Sequence, residues 1–251
     1  MTIPPSRTNG DLTAEPAGPP GCVLEALDPF KSYATYPEGS TLLLRDRPVE
    51  GVFLLLEGSA KVSISSPRGA TIILGIARPG DVLGLSAAIS GTPSEITAET
   101  MAPSRLCFIH RDDFVRSLNL SGESCLQVVE LISRQLREAF ELIRIIGGAQ
   151  SARRKLAALL LNWATSRGTS TEQGIEIEVP LTEEEIGQMI GTSRGTVSRL
   201  LAALKRDQIL SVNGSSFCIR QKAALQRLAA CKRRRATVQQ TGQAKSSARL
   251  Q

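Results

Sequence analysis

Histidine is almost missing from this sequence: His110 is the single one in 251 residues. Five cysteines, Cys22, Cys107, Cys125, Cys218 and Cys231, are scattered along the chain, and no CxxC pair occurs. Zinc sites are built from Cys and His at short, fixed spacings, so the ligand set for one is lacking. Thiols placed like this read as single, buried or idle groups in a reducing cytoplasm, which is the expected compartment. No apolar run approaches the ~18 residues that a membrane-spanning helix needs. The N-terminal stretch MTIPPSRTNG has no hydrophobic signal core, so neither a membrane span nor a signal peptide is expected. An enzyme is disfavoured on the same grounds, because no nucleophile–base pair, histidine partner or metal cluster stands out.

What is present is an ordinary hydrophobic content of 41%, enough for one large domain or two small ones. The net charge of +6 is unevenly spread. Residues 1–150 hold 13 basic and 17 acidic groups, whereas residues 151–251 hold 17 basic and 7 acidic ones. The KRRR run at 232–235 supplies four of the C-terminal charges, and the rest of that half is still basic without it. A polyanion partner for the C-terminal half follows from that balance.

Residues 1–22, rich in Pro, Gly, Thr and Ser, read as a disordered tail, and 230–251 as a disordered basic one. Between them, β-type runs at 41–44, 52–56, 61–65, 71–76, 96–101 and 106–109 are punctuated by Gly39, Gly51, Gly58, Gly69 and Pro79-Gly80-Asp81. Many short strands at close spacing predict a sandwich or barrel-like roll over 23–120. The period then changes. Over 121–147, Val129, Ile132, Leu136, Ala139, Ile143 and Ile146 are spaced 3, 4, 3, 4, 3, a heptad seam flanked by Glu130, Arg134, Arg137, Glu138, Glu141 and Arg144. Such a seam either packs on the roll or pairs with a second copy, and its narrowness favours a dimer helix. Gly147-Gly148 reads as the helix end and a hinge.

Residues 148–229 carry a second unit. An amphipathic helix at 153–166 places Trp163 in a core. Thr182 with Glu185 three residues on is a capping box that opens a short helix. Gly191 supplies a tight turn, and Ser193 caps the next helix, so the pair reads as a helix-turn-helix. Asn213-Gly214 between short strands signals a hairpin, the wing. In the second helix Val197, Leu200, Leu201 and Leu204 form a buried stripe, with Arg194, Gly195, Ser198, Arg199 and Ala202 opposite. An ordinary core hairpin gives no reason for two arginines on exposed first turns. In a DNA major groove, Arg194 and Arg199 can each make the bidentate contact to guanine, and Ser198 can take either kind of base partner. Thr182, Ser193, Thr196, Lys205, Arg206 and Ser215 are the candidate phosphate contacts that fix register. The fold class is α+β, and the expected partners are double-stranded DNA and a second copy of the chain.

From about residue 30 to 228 the chain resembles the catabolite activator protein/Fnr (Crp/Fnr) family of bacterial transcription regulators. The resemblance rests on EIGQMIGTSRGTVSRLL at 185–201, on the glycine-punctuated roll with ARPGDVLG at 77–84, and on the heptad helix. It implies a cyclic-nucleotide-binding-like effector domain, a dimerisation helix, a winged helix-turn-helix and RNA polymerase as a further partner. Palindromic DNA sites are implied too. The effector pocket maps to GLSAAISGTPSEITAE at 84–99, that is to Gly84, Leu85, Ser86, Ser94, Glu95 and Ile96.

Three departures from the family pattern matter. Leu85 stands where cyclic-nucleotide binders place a ribose-binding glutamate, and Glu95 where they place a phosphate-pairing arginine. A carboxylate repels a phosphodiester, so cyclic AMP and cyclic GMP are not expected effectors unless Arg78 swings in. Cys22 stands alone where oxygen-sensing relatives hold a cysteine cluster, so no iron–sulfur cluster is expected. A lone His110 is more simply a surface or core residue than a haem ligand. Gly195 replaces a glutamate with which many relatives accept from cytosine, so the half-site should differ. The alternatives are an effector-independent structural DNA-binding protein and a cyclic-nucleotide-responsive regulator with an atypical pocket.

Overall fold

The computed structural model describes residues 30–65, 71–148 and 151–230. The tails expected at 1–22 and beyond residue 230, with Cys22, Cys231 and the basic run at 232–235, lie outside the described residues. The N-terminal half opens with strands β1 (Lys31–Tyr36), β2 (Thr41–Leu43), β3 (Gly51–Glu57), β4 (Ala60–Ser65) and β5 (Thr71–Ala77). Strands β6 (Val82–Leu83), β7 (Thr97–Thr100) and β8 (Ser104–His110) complete it. They form two four-stranded sheets, β1-β8-β3-β6 and β2-β7-β4-β5, with antiparallel pairing throughout.

The sequence of β3, GVFLLLE, shows why the roll closes. Side chains alternate across a strand. Phe53 and Leu55 point between the sheets, onto Leu42, Leu106 and Phe108. Val52 and Leu54 point outward, onto Cys107, Ile109, Phe114, Val128 and Leu131. Both faces are therefore buried, and the run is apolar without polar alternation. Helices cover the outer face: α1 (Leu85–Ser90), α2 (Arg111–Leu120) and the first half of α3 (Gly122–Gly148). His110 closes β8 with its ring edge-to-face on Phe108, 4.9 Å between centroids.

The C-terminal half comprises α4 (Ala152–Arg167), β9 (Thr169–Thr171), β10 (Gly174–Glu178), α5 (Glu183–Ile190) and α6 (Arg194–Arg206), then β11 (Leu210–Asn213), β12 (Ser216–Ile219) and α7 (Lys222–Ala229). Its sheet runs β11-β12-β10-β9, so the wing expected as one hairpin is four strands wide. Two details correct the sequence reading. Asn213 pairs with Ser216, which puts Gly214 and Ser215, not Asn213 and Gly214, in the turn. Helix α3 also runs on through Gly147 and Gly148 instead of stopping before them.

The two halves share one core. Trp163, 1% exposed, lies with Leu156, Leu160, Ile186, Met189, Val197 and Leu201, and the same cluster takes in Ile73 of β5 and Ile145 of α3. Ile73→Ala should therefore cost about 2–5 kcal/mol, the usual loss for a buried isoleucine truncated to alanine. Urea unfolding followed by Trp163 fluorescence should show the lower midpoint, although Ile73 belongs to the roll. An unchanged Trp163 transition would mean that the halves unfold independently.

Candidate nucleic-acid interface and effector pocket

Helix α5 begins with a complete capping box. The Thr182 hydroxyl accepts from the Glu185 N–H at 3.2 Å, and the Glu185 carboxylate accepts from the Thr182 N–H at 3.0 Å. The turn into α6 is closed by glycine twice over. Gly191 ends α5 at φ 65, a left-handed conformation that side chains resist. Gly187 accepts from the Thr192 N–H at 2.9 Å, and a Cβ added there would lie 2.7 Å from the Thr192 carbonyl oxygen. Sequence reasoning passed over Gly187, although a glycine inside so short a helix was its signal.

Ser193 caps α6, accepting from the Thr196 N–H at 3.3 Å, with the two hydroxyls 3.0 Å apart. Val197, Leu201 and Leu204 are buried and Leu200 half-buried, while Arg194, Gly195, Ser198, Arg199 and Ala202 are exposed. The stripe and the opposing face thus lie where the periodicity put them. Arg199 folds back along its own helix, donating from Nε to the Gly195 carbonyl at 3.2 Å. Arg194 Nε lies 4.0 Å from a carboxylate oxygen of Glu183. Both guanidiniums are solvent-facing and held only by weak local contacts. At Gly195 an added Cβ would meet nothing within 4 Å.

The phosphate candidates divide. Ser193 and Lys205 are exposed and Thr196 half-exposed, all on α6 or its cap. Arg206 is 3.8 Å from Asp207, which offsets part of its charge. The Ser215 hydroxyl donates to the Glu178 carboxylate, so the wing tip brings an anion with it. Thr182 departs furthest from its expected role. Its N–H is taken by Glu185, three glutamates crowd the first turn of α5, and Lys61 of β4 closes on Glu185 at 2.9 Å. Partial burial works against the Glu185 carboxylate, but the Thr182 N–H and the Lys61 ammonium more than offset it and hold its pKa below the ordinary value. The start of α5 is thereby turned toward the roll, and a phosphate there would have to displace this contact.

The six residues expected around an effector, Gly84, Leu85, Ser86, Ser94, Glu95 and Ile96, line one pocket of about 230 Å³. Its other walls come from β5 and from Gln135, Glu138 and Ala139 of α3. Leu85 is 1% exposed and belongs to the core under α1. Ser86 donates to Glu95 at 3.1 Å, and Ser94 to the Ile96 carbonyl at 2.8 Å. The charged lining is acidic: Asp81, Glu95 and Glu138, with no lysine, arginine or histidine among the lining residues. Burial, and then Asp81, push the Glu138 carboxyl above its ordinary pKa. Arg78, the one residue considered able to rescue a phosphate, lines a neighbouring cavity instead.

Helix α3 places the expected seam on two surfaces. Val129, Leu136 and Ile143 are at least half exposed, and Ala139 is exposed. Ile132 packs against the roll core, and Ile146 is half-buried. Leu126 and Phe140, which the seam omitted, are 60% and 59% exposed. The outward stripe is therefore Leu126, Val129, Leu136, Phe140 and Ile143, with Ser133 between.

Residues 33–120 match the cyclic nucleotide-binding domain, and residues 154–228 match the Crp-like helix-turn-helix domain. The chain is 28% identical to the transcriptional regulatory protein btr of Bordetella pertussis, over 79% of this chain and 81% of that protein. It is 26% identical to the CRP-like cAMP-activated global transcriptional regulator of Mycobacterium tuberculosis, over 77% of this chain and 86% of that one. The solved structure of FixK2 from Bradyrhizobium japonicum shares the fold, with a TM-score of 0.70 at 22% identity, over 80% of this chain and 98% of that one. A cyclic nucleotide-binding domain, a long helix and a Crp-like helix-turn-helix in this order place the chain in the Crp/Fnr family of transcriptional regulators.

Proposed function

We propose that the protein works as a homodimer that reads two-fold symmetric DNA sites through α6 and answers to an effector other than a cyclic nucleotide. We divide it into an effector domain at 23–120, a dimerisation helix at 121–147 and a DNA-binding domain at 148–229. The observation that carries the reading is the outer face of α6, where Arg194, Ser198 and Arg199 are exposed on a helix whose other face is core. Ser193, Thr196 and Lys205 flank that face and suit phosphate oxygens. The apolar stripe of α3 supports the homodimer, since two copies could bury it against each other. Paired recognition helices would then meet half-sites roughly 34 Å apart. We assign the chain no catalytic reaction. The formed pocket favours an effector-controlled regulator over a structural DNA-binding protein, because the latter has no use for one.

Leu136→Asp with Ile143→Asp would set four like charges into the paired seam. Buried charges without partners are strongly destabilising, so the double variant should sediment as a monomer at micromolar concentration. A persistent dimer would move the interface elsewhere. Arg199→Ala should cost ~1–3 kcal/mol on the cognate site and relax one base pair. Lys205→Ala should instead weaken all sequences alike and flatten the salt slope by about one unit. Equal losses on cognate and random DNA for Arg199→Ala would remove it from the reading set.

The Mycobacterium relative is named for activation by cAMP. In the present chain the pocket offers a phosphodiester three carboxylates and no cation. Losing the charged partner of a buried phosphate costs ~2–5 kcal/mol, and each 1.4 kcal/mol is about tenfold in affinity. Calorimetric titration with cyclic AMP or cyclic GMP should give millimolar binding or none. A dissociation constant of about 10 μM or tighter, with a matching gain in DNA affinity, would return the chain to the cyclic-nucleotide class.

A further inference from the structure

A second cavity adjoins the acidic pocket and shares Leu74, Gly75, Ile76, Asp81 and Glu138 with it. About 400 Å³ of space lies between the β5 end and its turn (Leu74 to Asp81), the middle of α3 (Arg134 to Ile145) and α4 (Leu159 to Arg167), with Met189 of α5 closing it. Four arginines line it: Arg78, Arg134, Arg137 and Arg167. Among the described residues only Arg134 has a carboxylate at ion-pair distance, Asp81 at 3.0 Å. The second oxygen of Asp81 is spent on the Arg78 backbone N–H at 2.9 Å. Glu141, also in the lining, is turned to Arg144 at 2.6 Å. Glu138 is the remaining acid: burial and Asp81 raise its pKa, while Arg134, Arg167 and Arg78 act to hold it charged, and none of its oxygens is at ion-pair distance from Arg78, Arg137 or Arg167.

Among the described residues Arg78, Arg137 and Arg167 thus have no carboxylate within ion-pair distance, and Arg167, which Glu138 and Asp81 stabilise only from further off, is the most confined. It lies over the Trp163 ring at 5.4 Å, and its Nη1 is buried with no acceptor in reach. Burial, and then the charge of Arg78, draw its pKa down to about 10, so it remains a cation at neutral pH. A confined charge of this kind is costly unless an opposite charge meets it. The arginine fork fits the oxygens of a carboxylate or phosphate in pairs. Leu74, Ile76 and Leu142 offer an apolar wall beside the arginines. The volume falls in the range of small-molecule sites, about 300–1,000 Å³, and exceeds what a bare ion fills.

We propose that this cavity binds a small organic anion whose carboxylate or phosphate group is held by Arg167, Arg78 and Arg137, at a site separate from the acidic pocket. Trp163 is the only tryptophan in the chain and lines the cavity, so its fluorescence reports occupancy directly. The full chain is titrated with citrate and with inorganic pyrophosphate, both optically silent, at ionic strength held constant with sodium chloride. A saturable change in Trp163 emission with either probe is expected, citrate and pyrophosphate distinguishing a carboxylate from a phosphate ligand. Arg78→Gln and Arg167→Gln should each weaken it about tenfold or more, the usual effect of losing a charged hydrogen bond. Arg137→Gln, at an exposed position where folding is not at stake, should weaken it several-fold. Arg194→Ala with Arg199→Ala should leave it unchanged. No saturable signal with either probe would overturn the proposal. So would a signal indifferent to Arg78, Arg137 and Arg167, or one lost only with Arg194 and Arg199, which would place the anion on the face of α6.

Discussion

Helix α3 has apolar residues on more sides than one neighbour can cover, and the rest of the molecule is arranged around that fact. Val128 and Leu131 are buried on the roll, and Ile145 in the C-terminal core. Leu126, Leu136, Phe140 and Ile143 face outward. Two polar ties fix the rotation of the helix between these demands. Gln135 donates to the Val82 carbonyl at 2.8 Å, and Arg134 reaches Asp81 at 3.0 Å. With the rotation set, Gln135, Glu138 and Ala139 become pocket wall while their neighbours Leu136 and Phe140 stay on the outer stripe. A ligand that turned α3 would alter both surfaces together.

The helix-turn-helix was legible in the sequence because its signals are local. A cap, a glycine turn and a stripe at helical spacing each sit within a few residues of what they specify, and Thr182, Gly191, Ser193 and Val197 all take those places. The seam was harder, because α3 carries two overlapping stripes. Val128, Leu131, Leu142 and Ile145 on one side and Leu126, Val129, Leu136, Phe140 and Ile143 on the other follow the same period. Only packing against the roll decides which is inward, and Ile132 falls between them. The β9–β10 hairpin escaped notice because Thr169–Thr171 is fully exposed and carries no apolar alternation. Helix α1 lacks a side-chain cap and starts from a left-handed Gly84, so no capping signal marked it in the sequence.

The six residues read from the sequence as one pocket do line a single cavity. Its chemistry was only half legible. Leu85 and Glu95 could be read from their positions, whereas Asp81 and Glu138 reach the pocket only through the fold. The two cavities share acids but not bases: Asp81 and Glu138 line both, whereas all four lining arginines belong to the cavity against α4. That arrangement depends on residues far apart in sequence, and no motif encodes it.

Gly195 sits in the first turn of α6 with open space where a side chain would begin. Glycine in a helix is less stable than alanine by up to about 1 kcal/mol, and here no close approach requires it. A residue gained at this position would leave the core as it is and change only what the outer face presents. Val197 and Leu201, on the inner face of the same helix, have no such freedom, because their replacements must first satisfy a filled interior. On the proposed reading of DNA by α6, a substitution at Gly195 would alter target preference without crossing a folding threshold. Specificity and stability are thus separable at this one position of the helix.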